Sequence, residues 1–112
     1  MSHHYEDLKC EDFEPTKIPE THNTLVKIEA VFDSMKSLVM AKNLRYGNSA
    51  LDPLNIFSKL PSENSICIRI DDKLNRIKNA KELRKNDVAD IMGYLCLLCV
   101  DRGWTDFKEL ID

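Results

Sequence analysis

The chain has 112 residues, 43% hydrophobic and 31% charged, a balance that fits one soluble globular domain and excludes a disordered or low-complexity chain. Its net charge of −3 argues against a general binder of long nucleic acid, which selects basic surfaces. One small anion held by a local group of Arg and Lys stays compatible with that charge. No stretch approaches the roughly 20 apolar residues of a membrane span, and Met1–Asp7 lacks a basic and apolar leader pattern, so a cytoplasmic protein with no membrane partner is expected.

Taken in order, residues 1–22 are acidic, contain Pro15 and Pro19 and show no apolar period. They read as an extended N-terminal arm, either ordered on the domain or a neighbouring subunit, or a mobile tail. Residues 23–112 read as one helical domain. Over 24–45, Leu25, Ile28, Val31, Phe32, Met35, Leu38, Val39 and Lys42 follow a helical 3/4 spacing, with Asn23 or Thr24 as cap. Gly47 ends the pattern in a turn, Arg45–Ser49. Asp52-Pro53 resembles a cap followed by proline at the first helical position, which predicts a short helix through Leu60 burying Leu54, Phe57 and Ile56.

A further helix is predicted over about 64–79, capped by Ser62 or Asn64. Its Ile66-Cys67-Ile68 run also suits a strand, but the spacing continuing through Ile70, Leu74 and Ile77 favours helix. Lys78–Asn86 reads as a connection. Val88–Val100 is the most apolar stretch and is expected to be the central buried helix, ended by Gly103. Thr105 would cap a last short helix whose Phe107, Leu110 and Ile111 pack back, with Trp104 anchoring the turn. There is no internal repeat and no heptad seam. The expected class is therefore all-α: a compact bundle of three main helices plus short ones, with the N-terminal arm.

Cys10, Cys67, Cys96 and Cys99 read as free thiols. Cys96-Leu-Leu-Cys99 lies in an apolar helix without a second pair at zinc-like spacing, which points to packing and not to redox or metal work. The three His all fall within the first 22 residues, and there are only three Gly. Neither a nucleophilic triad nor a Gly-rich phosphate loop is present.

Three polar groups stand out. Lys42, Asn43, Tyr46, Gly47, Asn48 and Ser49 could hold a phosphate and stack a base, or they could simply complete a helix C-terminus with cations that suit its dipole. Arg69, Asp72, Lys73 and Arg76 share one helical stripe, either as an anion site with two guanidinium forks or as a ladder of salt bridges. Asp87 and Asp90, at i and i+3 with Tyr94 a turn on, could share Mg²⁺ with substrate phosphates, or could suit a helix N-terminus. Asp90 enters the apolar repeat and so needs a partner, for which Arg69, Lys73 and Arg76 are candidates.

Together, Lys42-Asn43-x-x-Tyr46-Gly47-Asn48-Ser49, Arg69-Ile70-Asp71-Asp72-Lys73-Leu74-x-Arg76-Ile77 and Asp87-x-x-Asp90-Ile91-x-Gly93-Tyr94-Leu95 resemble the nucleotide-modification-associated domain family of small phage and prophage proteins. The resemblance covers about residues 25–100. Arg45 departs from the pattern, in which an acidic residue commonly precedes Tyr-Gly. The resemblance implies a phage-encoded helical protein in the host cytoplasm that acts on or binds nucleotides. It further implies that Lys42, Asn43, Tyr46, Arg69, Asp72, Lys73, Arg76 and Asp90 line one site.

The first functional expectation is a nucleotide binder without catalytic residues or cofactor. It would be a homo-oligomer that sequesters a nucleotide or cyclic oligonucleotide signal and so evades host immunity. The alternative is a Mg²⁺-dependent nucleotide pyrophosphohydrolase, because Asp87-x-x-Asp90 is similar to the Glu-x-x-Asp element of MazG-type all-α enzymes. Those enzymes also carry a Glu-Glu-x-x-Glu element, where this chain offers only Glu29 and Asp33. A third possibility is an assembly module whose charged stripe is a solvated or subunit-facing surface.

Overall fold

The computed structural model describes residues 19–55 and 59–111. Three helices organise them: α1 (Pro19–Arg45), α2 (Ser62–Asn79) and α3 (Lys85–Arg102), with a 3-10 turn at Lys108–Leu110. The described residues contain no strand, so the fold is all-α. They divide into two compact units, residues 19–34 with 104–111, and Met35–Gly103. Helix α1 starts at Pro19, ahead of the expected Asn23 or Thr24. Proline suits a first helical position because the amide hydrogen it lacks would find no partner there. The rest of the expected arm, residues 1–18, lies outside the described residues.

Within Met35–Gly103, α2 and α3 pack antiparallel. Ile66, Ile70, Lys73 and Ile77 recur along one face of α2, and Ile66 is fully buried. Burial of one such side chain contributes about 1.5–3 kcal/mol. Its neighbours Cys67 and Ile68 are exposed, so the β-branched run belongs to a helix with one inward residue. The Ser62 hydroxyl donates to Asp101 Oδ1 at 2.7 Å. The Arg102 guanidinium grips Glu63 through both carboxylate oxygens, Nη2 to Oε2 at 3.2 Å. These pairs clamp the start of α2 to the end of α3. Ser62 is thereby committed to Asp101 and forms no cap, and the cap position falls to Pro61.

Helix α3 is less buried than its composition suggests. Residues 88–94 are half-buried, while Leu95, Cys96 and Val100 are exposed. An all-round apolar helix is buried only when neighbours surround it, and α3 leaves one side open. Gly103 ends it in a left-handed conformation (φ 77°), its N–H reaching the Cys99 and Val100 carbonyls. The short helix expected from Asp52 is not formed: residues 52–55 and 59–61 are non-helical, and Asn55 takes φ 56°. A left-handed residue cannot continue a right-handed helix. Ile56 and Phe57 fall outside the described residues. After α3, the cap position of the last turn falls to Phe107 and not Thr105, with Asp106 Oδ1 accepting the Lys108 N–H at 3.0 Å just before it. Phe107, Leu110 and Trp104 are exposed, and only Ile111 is half-buried.

Candidate functional site

The C-terminal half of α1, the turn after it, α2 and α3 enclose a cavity of about 380 Å³. Helix α1 brings Lys42 and Asn43 to it, the turn brings Tyr46 and Ser49, α2 brings Arg69, and α3 brings Asp90 and Tyr94. Leu38, Val39, Ala50, Ala89, Gly93 and Leu97 complete an apolar floor. The turn is built by two successive left-handed residues, Gly47 (φ 62°) and Asn48 (φ 63°). Glycine enters this region without steric cost, and Asn tolerates it better than most side chains. The Asn48 N–H donates to the Asn43 carbonyl at 3.1 Å, and the Asn43 side-chain amide donates to Asn48 Oδ1 at 3.2 Å. The chain reverses there and leaves the Tyr46 ring exposed at the cavity wall.

The charges form a specific arrangement. Asp90 Oδ2 lies 2.9 Å from Lys73 Nζ, and Asp90 Oδ1 lies 3.3 Å from Lys42 Nζ. Burial pushes the Asp90 carboxyl up, but hydrogen bonds and charge from Lys73 and Lys42 outweigh it and hold the group below the usual carboxylate range. Arg69 has no carboxylate partner among the described residues. Its guanidinium lies 5.9 Å from the centre of the Tyr94 ring, with Nη1 donating to the Tyr94 hydroxyl at 3.4 Å. Two lysines thus share one carboxylate and Arg69 stands beside them without one, a local positive excess in a chain of net charge −3.

The structure divides the residues singled out from sequence. Lys42, Asn43, Tyr46, Ser49, Arg69 and Asp90 line the cavity, and Lys73 stands behind Asp90 as its ion-pair partner. Asp72 is exposed and away from the cavity lining. Arg76 lies instead at a separate open depression of about 330 Å³ with Asn79, Ala80, Lys81, Glu82 and Arg84. The expected stripe of four therefore splits. The face that buries Ile66 and half-buries Ile77 carries Lys73 inward, and Asp72 stays exposed with no cation partner among the described residues.

Asp87 and Asp90 do not form a metal pair. Asp87 is fully buried and bound by Arg84, Nε and Nη2 each 3.0 Å from Oδ2, while Asp90 is held by two lysines. Among the described residues no group of three or more His, Cys, Asp or Glu could hold a metal ion, and the two carboxylates of the hydrolase alternative are each engaged by cations. Tyr94 was the site residue least legible in sequence, because an aromatic inside the most apolar stretch reads as core. The signal was its position one turn beyond Asp90. Cys96 and Cys99 carry no disulfide, and Cys96 is exposed, so only Cys99 of the pair is half-buried as packing would require; partial desolvation, with Cys99 nearby, still pushes the Cys96 thiol up.

No protein-family model matches the chain, and comparisons with curated proteins and with solved structures find no match. No helix among the described residues is long and apolar enough to cross a membrane.

Proposed function

We propose that this chain is a phage-encoded protein that binds a small phosphorylated ligand with a flat ring, a nucleotide, and sequesters it without catalysis. The observation that carries the reading is Arg69, a guanidinium at the cavity wall with an aromatic beneath it and no carboxylate partner among the described residues. A planar fork of this kind matches a phosphate in bidentate fashion. The exposed Tyr46 ring and the apolar floor suit a base. Lys42 adds a second cation at the same wall.

Size sharpens the ligand class. A cavity of about 380 Å³ stands at the low end of small-molecule sites, which run from about 300 to 1,000 Å³. One nucleotide suits that space within a single chain, and cyclic di- and trinucleotides exceed it. Binding is favoured over hydrolysis because Asp90, the carboxylate at the cavity among the described residues, is paired with Lys73 and Lys42, and Asp87 with Arg84. Location in the host cytoplasm and assembly of several copies belong to the same reading.

The test is a thermal-shift and calorimetry panel of nucleoside mono-, di- and triphosphates with cyclic di- and trinucleotides. A nucleoside phosphate should stabilise the protein, with the ligand recovered intact after heat denaturation. A cleaved product would establish an enzyme instead. Absence of stabilisation by every member would return the cavity to a purely structural role.

A further inference from the structure

We infer that the first half of α1 is a contact surface for a second copy of this chain, crossing antiparallel near Phe32. In the fold, Leu25, Ile28, Phe32, Met35 and Val39 alternate spacings of three and four. The run covers about two heptads, short of the three to four that mark a sustained coiled-coil seam. Its later part is used internally: a methyl placed on Gly93 of α3 would sit 3.6 Å from Val39 Cγ2. Its earlier part stays open at Ile28 and Phe32, 43% and 66% exposed, with Val31 beside them 50% exposed and Leu25 half-buried. Apolar side chains clustered on one helical arc in this way mark an interaction surface.

Charge selects the occupant and its direction. Glu29 and Lys36 lie on the same flank of the seam, one before and one after Phe32, and neither is ion-paired among the described residues. In an antiparallel crossing about Phe32, Glu29 of each copy faces Lys36 of the other, so the surface is complementary to itself, as a two-fold interface must be. A parallel pairing would bring Lys36 beside the apolar Val31 of the other flank and form no ion pair, and flank charges of this kind set helix orientation. The contact spans about two turns, because beyond Met35 the same face meets α3. A weak dimer follows.

Sedimentation equilibrium of the full chain tests this. The expected result is a monomer–dimer equilibrium that Phe32→Glu weakens more than about tenfold, with the helical circular dichroism unchanged and the melting temperature unchanged at dilutions where the wild type is monomeric. Glu29→Lys alone should weaken the dimer several-fold, and Glu29→Lys with Lys36→Glu should restore it to within about twofold. These shifts shrink in high salt. A wild-type chain that stays monomeric at high concentration overturns the inference, as does a charge swap that fails to restore what the single reversal loses. A monomeric wild type that Phe32→Glu destabilises would show the chain itself covering this face, and so also overturns it.

Discussion

Lys73 Nζ lies 2.9 Å from Asp90 Oδ2, with the lysine side chain 16% and the aspartate 22% exposed. The pair joins α2 to α3 below the cavity, and Lys42 brings α1 onto the same carboxylate. One side chain therefore ties three helices. Asp90→Asn should destabilise the fold by about 2 kcal/mol, since it leaves Lys73 half-buried with no counter-charge. Lys73→Met should cost less, because Asp90 keeps Lys42. Urea unfolding of the two variants checks the order.

The same carboxylate gives the stability a pH dependence. Its folded pKa is lowered, so its contribution is fully present above the unfolded value of about 3.9. That contribution is lost as pH falls through the folded value. Wild-type stability should decline on acidification below about pH 4, and Asp90→Asn should decline less steeply there. Chemical denaturation measured from pH 6 down to pH 3 compares the two slopes.

Ligand binding should separate the two arginines of α2. Arg69→Ala should abolish measurable nucleotide binding, and Arg69→Lys should recover little, because an ammonium offers no planar fork. Arg76→Ala should leave affinity within about twofold, since Arg76 lies at the other depression. Tyr46→Ala should weaken binding by roughly 1–3 kcal/mol, with Tyr46→Phe near wild type if stacking is its role. Calorimetry with the nucleotide identified by the panel measures all four.

Much of this arrangement was legible from local rules. The 3/4 spacing gave α1 and α2, and Gly47 and Gly103 marked the turns where left-handed backbone was needed. The need of Asp90 for a partner was legible because a carboxylate in an apolar repeat has to be matched. Lys73 was among its three sequence candidates, but the choice of it over Arg69 and Arg76, and the second partner Lys42, were not legible, since they depend on how α1 and α2 pack on α3, a tertiary fact. Asp72 and Arg76 were drawn into the site because they share a helical stripe with Arg69. A stripe fixes which residues neighbour one another, but not which edge of it meets the next helix. The Asp52-Pro53 cap signal failed for a related reason: it describes how a helix can start, and Asn55 two residues on turns left-handed.

Gly93 lies within α3 and lines the cavity floor. A Cβ there would meet Val39 Cγ2 at 3.6 Å, an ordinary van der Waals distance, and its backbone is helical. Nothing in the packing requires glycine. Gly93→Ala should therefore stabilise the helix by about 0.8–1 kcal/mol, a rise in melting temperature of about 4 °C, read by calorimetry.

Asp87 and Arg84 should show strong non-additivity. Asp87 is fully buried, its Oδ2 held by Arg84 while its Oδ1 has no hydrogen-bond partner. Arg84 is 52% exposed, so it can rehydrate when the aspartate is removed, whereas Asp87 cannot when the arginine is removed. Arg84→Met should thus cost about 3 kcal/mol or more, the cost of an uncompensated buried charge. Asp87→Ala should cost less, because it also removes an unsatisfied acceptor. The double variant should be more stable than Arg84→Met alone. A double-mutant cycle by urea unfolding reads the coupling directly. Additive costs would mean that the buried carboxylate is matched by a group other than Arg84.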